Sequence, residues 1–354
     1  LADAAAFFDA RLQSLVVGVD DTEAFERLMR VRRRVTNRLK FLVYIVENAA
    51  EVGILFETLN DRGRDLTELE KVKNYLLYLA RQLPPAQVDR LSRAINATWA
   101  DLYANLARAQ RDDDTLLRAH WLVTQNSDER SWRRAGSIKA KFPRSRYVHN
   151  SETLDGPDSA SPEGSDESES VLFDEVSKYI ESLRMASVYL RDVYVESPEL
   201  PGVTDVRQKS EIRARTAALR RTNKVAHFLP ILLATRLRYP NDAAKYIEAL
   251  GLVERFAGRV FSVGGIRSNA GRSTVTWAGG RLYRGDTDFA RALDLLREKA
   301  LQLVSDSELR QRFALDQHWY GRPGLKYVLF EYELKGVRVA EDTIGWEAVS
   351  GAGG

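Results

Sequence analysis

From Ala86 to Arg108, apolar residues recur at Val88, Leu91, Ile95, Trp99, Leu102 and Leu106, the spacing of one face of an α-helix. The same three-and-four rhythm returns along most of the chain, and it restricts the fold more than any other feature. Pro84-Pro85 marks the start of that first long helix. Asp114 is placed to cap the next, which runs through Leu116, Leu117, His120 and Val123. Val171 to Val195 repeats at Leu172, Val176, Ile180, Leu183, Ser187 and Leu190, then stops at Pro198 and Pro201. Arg207–Arg221 is strongly helix-forming, and His227–Leu237 is nearly all apolar, as a buried core helix would be. Ala243–Phe261 and Asp288–Val304 complete the helical set. The Gly-, Ser- and Thr-rich interval from Gly264 to Gly285 contains the best short strand, Thr274-Val275-Thr276-Trp277. Residues Ser151–Ser170 set seven carboxylates among Ser, Gly and Pro; they lack the apolar surface to offset their ordering entropy, which predicts a disordered linker.

One segment departs from this plain helical pattern. Leu39, Phe41, Val43 and Ile45 alternate with Lys40, Leu42, Tyr44 and Val46, as in a strand covered on both faces. Ala49–Leu59 has helical character, and Asn60-Asp61-Arg62-Gly63 stops it with residues that tolerate the left-handed conformation. Thr67 and Glu70 then form a capping box for a helix with the stripe Leu69, Val72, Leu76 and Leu79. Lys73 lies beside that stripe. A cation there, near Arg62 and a helix N-terminus, describes an anion pocket; the alternative is that Arg62 and Lys73 tie the turn down through carboxylates.

The run Phe56-Glu57-Thr58-Leu59-Asn60-Asp61-Arg62-Gly63, continuing to Lys73-Asn74-Tyr75-Leu76, resembles the F-E-x-L-N-x-R-G-x-x-L…K-N-x-L motif of GmrSD-type (type IV) restriction enzymes and SspE-like phage-defence proteins, in their ParB/sulfiredoxin-like N-terminal domain. Weaker likenesses follow in order at Leu116–Trp121, Ser137–Phe142, Phe228–Leu233, Leu252–Phe261 and Leu325–Phe330. The resemblance implies a mainly α chain with a small truncated α/β (ParB-like) element at its N-terminus. It divides into a ParB-like domain over 1–82, a helical region over 83–150, the acidic linker over 151–170, a helical domain over 171–335, and a tail over 336–354 leading towards a nuclease. It further implies an NTP (GTP or ATP) with Mg²⁺ held near Asn60, Asp61, Arg62, Gly63, Lys73 and Asn74. The partners would be foreign or modified DNA and a nuclease domain or subunit, or a second copy of the chain. The family's D-G-Q-Q-R and HNH motifs do not occur in this chain, so the expectation is of a coupling segment that is itself neither NTPase nor nuclease. The alternative is a non-enzymatic DNA-binding or scaffold protein. A first residue of Leu instead of Met gives the expectation that the chain begins inside a longer product.

Charge supplies the second functional signal. Arg130, Arg133, Arg134, Lys139, Lys141, Arg144 and Arg146 form a run without an acidic residue, and Arg207, Lys209, Arg213, Arg215, Arg220, Arg221 and Lys224 form another, broken only by Glu211. Such runs bind phosphates in a salt-dependent way, with Trp132 and Tyr147 available for stacking, or they are solvated helix faces. The chain has 354 residues and no cysteine, which suits two or three cored domains in a reducing cytoplasm and excludes thiolate chemistry. It shows no membrane-length apolar run. His120, His149, His227 and His318 lack the local spacing of a metal site, and His227 reads as a core histidine. Gly265–Ser273 superficially resembles a phosphate loop, but its spacing is one residue too long and it has Arg where Lys belongs; it reads as a surface loop. Asp112-Asp113-Asp114 reads as ordinary helix-capping acid.

Overall fold

The computed structural model describes residues 2–38, 66–147, 163–315 and 324–336. The strand at Leu39–Val46, the helix at Ala49–Leu59, the Asn60–Gly63 turn, His149 and His318 lie outside the described residues. The described chain is mainly helical, and no strand occurs among the described residues. No described helix is long and apolar enough to cross a membrane. Two compact units are distinguished, Leu1–Ala49 and Ala50–Gly354.

The first unit is a helical hairpin of α1 (Ala2–Val16) and α2 (Asp21–Arg38). Asp20 starts α2 by accepting from the backbone N–H groups of Thr22 and Glu23 at 2.9 and 3.0 Å. No described residue of α2 is buried, and Phe7, Phe8, Phe25 and Val35 are exposed.

In the second unit, α3 (Glu68–Ala80) opens with the complete capping box expected of Thr67 and Glu70, and Leu69, Val72, Leu76 and Leu79 are all buried. Pro85 sits in the first turn of α4 (Pro85–Ala109), where a missing N–H costs nothing. Trp99 of α4 is fully buried and donates its Nε1–H to the Leu69 carbonyl at 2.8 Å, locking α4 to α3. The acids ahead of α5 (Asp113–Thr124) divide their labour differently from expectation. Asp112, not Asp114, caps the helix by accepting from Thr115 N–H at 2.8 Å. Asp113 accepts from Leu69 N–H in the first turn of α3 at 3.2 Å, and Asp114 accepts from Trp132 Nε1 at 2.9 Å. After a single 3₁₀ turn, Glu129–Ser131, come α6 (Ala135–Lys141), packed on α3, and the short α7 (Arg144–Tyr147).

The long α8 (Glu163–Tyr194) lies along α4 and α5. Its backbone is helical from Glu163, so residues 163–170, assigned to the linker from composition, are its first turns. Deep in the α4–α8 interface, Arg191 pairs with Asp192 at 2.8 Å and donates to Asn105 Oδ1 at 3.0 Å, while Asp192 accepts from Leu200 N–H at 2.9 Å. This knot leaves neither buried charge unpaired. α9 (Val206–Arg221) packs on α11 (Ala243–Phe256). Between them in sequence, α10 (Val225–Arg238) is buried along almost its whole length, as its composition predicted. Arg236, buried near its end, donates to the Pro240 carbonyl at 2.9 Å and lies 4.6 Å from the Tyr189 ring.

α11 runs on into a π-helical turn, Ala257–Val263. The proposed strand at Thr274–Trp277 is instead part of α12 (Arg272–Arg284), which begins after Gly271 at φ +76°. Its β-branched residues favour a strand locally, but the packing decides otherwise. Val275 and Thr276 are fully buried, and Gly279 and Gly280 bring α12 against α10 and α5 more closely than any side chain would allow. α13 (Phe289–Leu303), capped by Asp288, covers α12 and α11, and is followed by α14 (Asp306–Leu315). α15 (Gly324–Gly336) rests on the π-helical turn.

Candidate nucleic-acid interface

An open groove of about 1000 Å³ lies between α12 and the segment Gln125–Arg130 that leaves α5. The segment is held by its own hydrogen bonds. Asn126 Oδ1 accepts from Asp128 N–H at 2.9 Å, Ser131 Oγ donates to the Asp128 carbonyl at 2.6 Å, and Trp121 Nε1 donates to Ser131 Oγ at 3.3 Å. Gly280 lets α12 approach this wall: a Cβ there would collide with Ser127 Oγ and lie 3.2 Å from the Leu122 carbonyl.

Glu129 binds the two sides together. It accepts from Arg118 Nη2 at 2.8 Å, from Arg272 Nε at 2.9 Å and from Thr276 Oγ1 at 3.3 Å. Its charge is therefore matched twice over by guanidinium groups. Trp277 remains 43% exposed on the groove wall, and the Arg281 guanidinium lies over its ring at 4.6 Å. Arg284 pairs with Asp286 at 3.0 Å, and Arg130 with Asp128 at 3.2 Å. The groove thus presents arginines and one open indole, the residue types that hold phosphates and stack on bases.

Of the residues expected from sequence, Arg130 reaches this groove with a side chain 91% exposed. Arg133 donates to the Arg130 carbonyl, and Arg134 precedes α6 at φ +55°. Lys139 lies 5.6 Å from the Tyr75 ring, and burial lowers the pKa of Lys141. Arg144 begins α7. In the second run, Arg215 pairs with Glu211 at 2.8 Å and sits 3.8 Å from Glu254. Arg220 donates to the carbonyls of Val193 and Val195 at 3.0 and 2.9 Å. Arg221 pairs with Glu331 at 2.7 Å beneath α15, and Lys224 lies 5.1 Å from the Phe261 ring. These four serve the fold. Arg207 and Arg213 are exposed on α9, with Lys209 half-buried between them. The first run surrounds α6 on α3, and the second lies on α9 against α11, so the two belong to different helix pairs.

Lys73 and Asn74 are half-buried on α3 without a hydrogen-bond or ion-pair partner among the described residues, while Asn60, Asp61, Arg62 and Gly63 lie outside them. Among the described residues no group of His, Asp and Glu side chains is arranged to hold a metal ion. His120 Nε2 lies 2.9 Å from Ser182 Oγ, and burial, with a smaller contribution from Lys141, lowers its pKa to about 3. His227, enclosed by Phe228, Phe256 and Phe261, is lowered to about 4 by burial and then by Arg272. Both are neutral core histidines.

Arg272, Trp277, Arg281 and Arg284 were not legible as a site. Their signal was present: Trp277, Arg281 and Arg284 fall at i, i+4 and i+7, one face of a helix, but only once the segment is read as helical. Comparison with models of known protein families, with curated proteins and with solved structures finds no significant match.

Proposed function

We propose that this chain is the sensing and coupling part of a nucleotide-dependent restriction factor that acts on foreign or modified DNA in the cytoplasm. The observation that carries this reading is the Phe56–Gly63 motif directly ahead, in sequence, of α3, a capped helix packed against α4, α5 and α6. A change at the motif would be transmitted through that buried face into the helical body. In this reading the segment before α3 is the remnant of a ParB-like α/β element, and Arg62, Lys73 and Asn74 hold the phosphates of GTP or ATP. Lys73 and Asn74, half-buried and without a partner among the described residues, suit donors that reach a phosphate. Mg²⁺ would be carried on the nucleotide and screen its phosphate charge. Further support comes from the arginine-lined groove and from the outward cations of α9, which give DNA a surface to meet.

The test is thermal unfolding with GTP and ATP in the presence of Mg²⁺, for the parent chain, Arg62→Ala and Lys73→Ala. One nucleotide should raise the parent's Tm by mass action, and both variants should lose the shift while keeping the ligand-free Tm. If neither nucleotide shifts the parent at millimolar concentration, the sensing role falls and a DNA-binding scaffold is left.

A further inference from the structure

We propose that the groove between α12 and Gln125–Arg130 is a binding site for single-stranded nucleic acid, with one base stacked on the open face of Trp277. This deepens the reading above and rests on it for the choice of DNA over RNA. The two faces of the Trp277 ring are not equivalent. Arg281 lies over one at 4.6 Å, and the residue is still 43% exposed in the groove. An arginine on one side polarises and steadies the indole, leaving the other side for a base, so the completed stack would be guanidinium, indole, base.

The shape favours a single strand over a duplex. Readers of duplex DNA push a convex helix or ribbon into a major groove about 12 Å wide. Here the aromatic is on the wall of a concavity, and paired, stacked bases show it no face. The volume of about 1000 Å³ also exceeds what one base needs and matches the upper end for ligand sites, about 300–1000 Å³, which suits several linked nucleotides.

The charges are arranged to accept phosphate. Glu129, an acid of the groove lining, is already held by Arg118, Arg272 and Thr276, so it presents little free negative charge. Arg130 and Arg284 are held by Asp128 and Asp286 in solvent-exposed pairs. Such pairs are worth about 0–1 kcal/mol, so a phosphate can displace the carboxylate at small cost. Ser273, exposed in the first turn of α12, and Asn269 just before it line the same groove and add hydrogen-bonding groups for sugar or base edges.

The experiment is fluorescence anisotropy with oligothymidylate of about a dozen nucleotides, the matching oligouridylate, and a duplex of equal length, at low and moderate salt. The proteins are the parent, Trp277→Ala, Trp277→Phe, Arg284→Glu and, as a control on α9, Arg213→Glu. Oligothymidylate should bind the parent more tightly than duplex does. Trp277→Ala should weaken it roughly tenfold, the value expected for one lost base–aromatic stack, with Trp277→Phe restoring most of the loss. Arg284→Glu should weaken it and flatten its salt dependence, and Arg213→Glu should leave it unchanged. Equal affinity of the parent and Trp277→Ala for oligothymidylate, with all variants keeping the parent's Tm, would overturn the groove assignment. Duplex binding that depends on Arg213 and not on Trp277 would overturn it while sparing the DNA reading. Trp277-dependent preference for oligouridylate would keep the groove and overturn the DNA reading.

Discussion

Gly279 of α12 should not be replaceable even by alanine. A Cβ at that position would lie 2.7 Å from the Pro230 carbonyl oxygen, 2.8 Å from its carbon and 3.0 Å from Ile231 N. All three are backbone atoms of the buried helix α10, so no rotamer change relieves the clash. Ordinary contact needs about 3.5 Å or more, which would require α10 and α12 to separate by roughly 0.5–1 Å along their shared face. A gap of that size forfeits about a quarter to a half of each dispersion contact, and overpacking of this kind costs about 1–3 kcal/mol or more. Against it stands the gain of about 1 kcal/mol from replacing Gly by Ala in a helix. Because the clash is with rigid backbone, the cost should lie in the upper part of that range, and Gly279→Ala should destabilise by about 1–2 kcal/mol net. Gly136→Ala in α6 is the control: its Cβ would meet only Arg133 Cβ at 3.7 Å, so the change should be neutral or stabilise slightly. The assay is urea unfolding followed by far-UV circular dichroism, comparing midpoints at unchanged slope. A Gly279→Ala chain as stable as the parent would refute the claim that backbone contact between α10 and α12 sets their spacing.

Two further outcomes are expected. His120 and His227 have folded pKa values of about 3 and about 4, below the ordinary value near 6.5, so the unfolded chain takes up protons first as the pH falls. Stability should be full above about pH 6.5 and fall by about 1.4 kcal/mol per histidine per pH unit down to each folded value; urea midpoints from pH 7 to 5 should show this, and His227→Leu should remove one histidine's share of the slope. Arg221 and Glu331 pair with side chains only 6% and 13% exposed, so Glu331→Ala takes the carboxylate from a buried guanidinium and should cost up to about 3–5 kcal/mol in the docking of α15. Hydrogen exchange should show α15 freed in Glu331→Ala and less so in Arg221→Met/Glu331→Leu; equal protection in all three would place the pair outside the docking energetics.

The helices were legible because their signals are local. The Thr67–Glu70 box, the Leu69–Leu79 stripe and the all-apolar run of α10 each lie within a few turns of chain. Thr274–Trp277 misled for the same reason: its local preference is for a strand, and the two glycines that seat it as a helix declare themselves only against Pro230 and Ser127. The cap of α5 was misassigned because three successive aspartates look alike until one of them finds α3 and another finds Trp132. The groove was invisible for a stronger reason. Its central bond joins Glu129 to Thr276, 147 residues apart, and no window of sequence contains both. Runs of basic residues were easy to see, but their fate was not: Arg215, Arg220 and Arg221 turn inward to carboxylates and carbonyls, while Arg207 and Arg213 on the same helix stay in solvent.

The π-helical turn at Ala257–Val263 has a bearing on how this chain tolerates changes of length. A π turn is an α-helix carrying one surplus residue, so deleting one residue there would convert α11 and the turn into a single regular rod. The helix itself would relax, yet every position beyond the deletion would swing by about 100°. Arg259 would leave the Val304 carbonyl it now meets at 3.0 Å, and the Ser262 carbonyl would turn away from Gly324. Single-residue deletions should therefore be borne in the exposed turn at Arg267–Asn269 and rejected a few positions earlier, where the surplus residue is the gearing that aims α15 at the core.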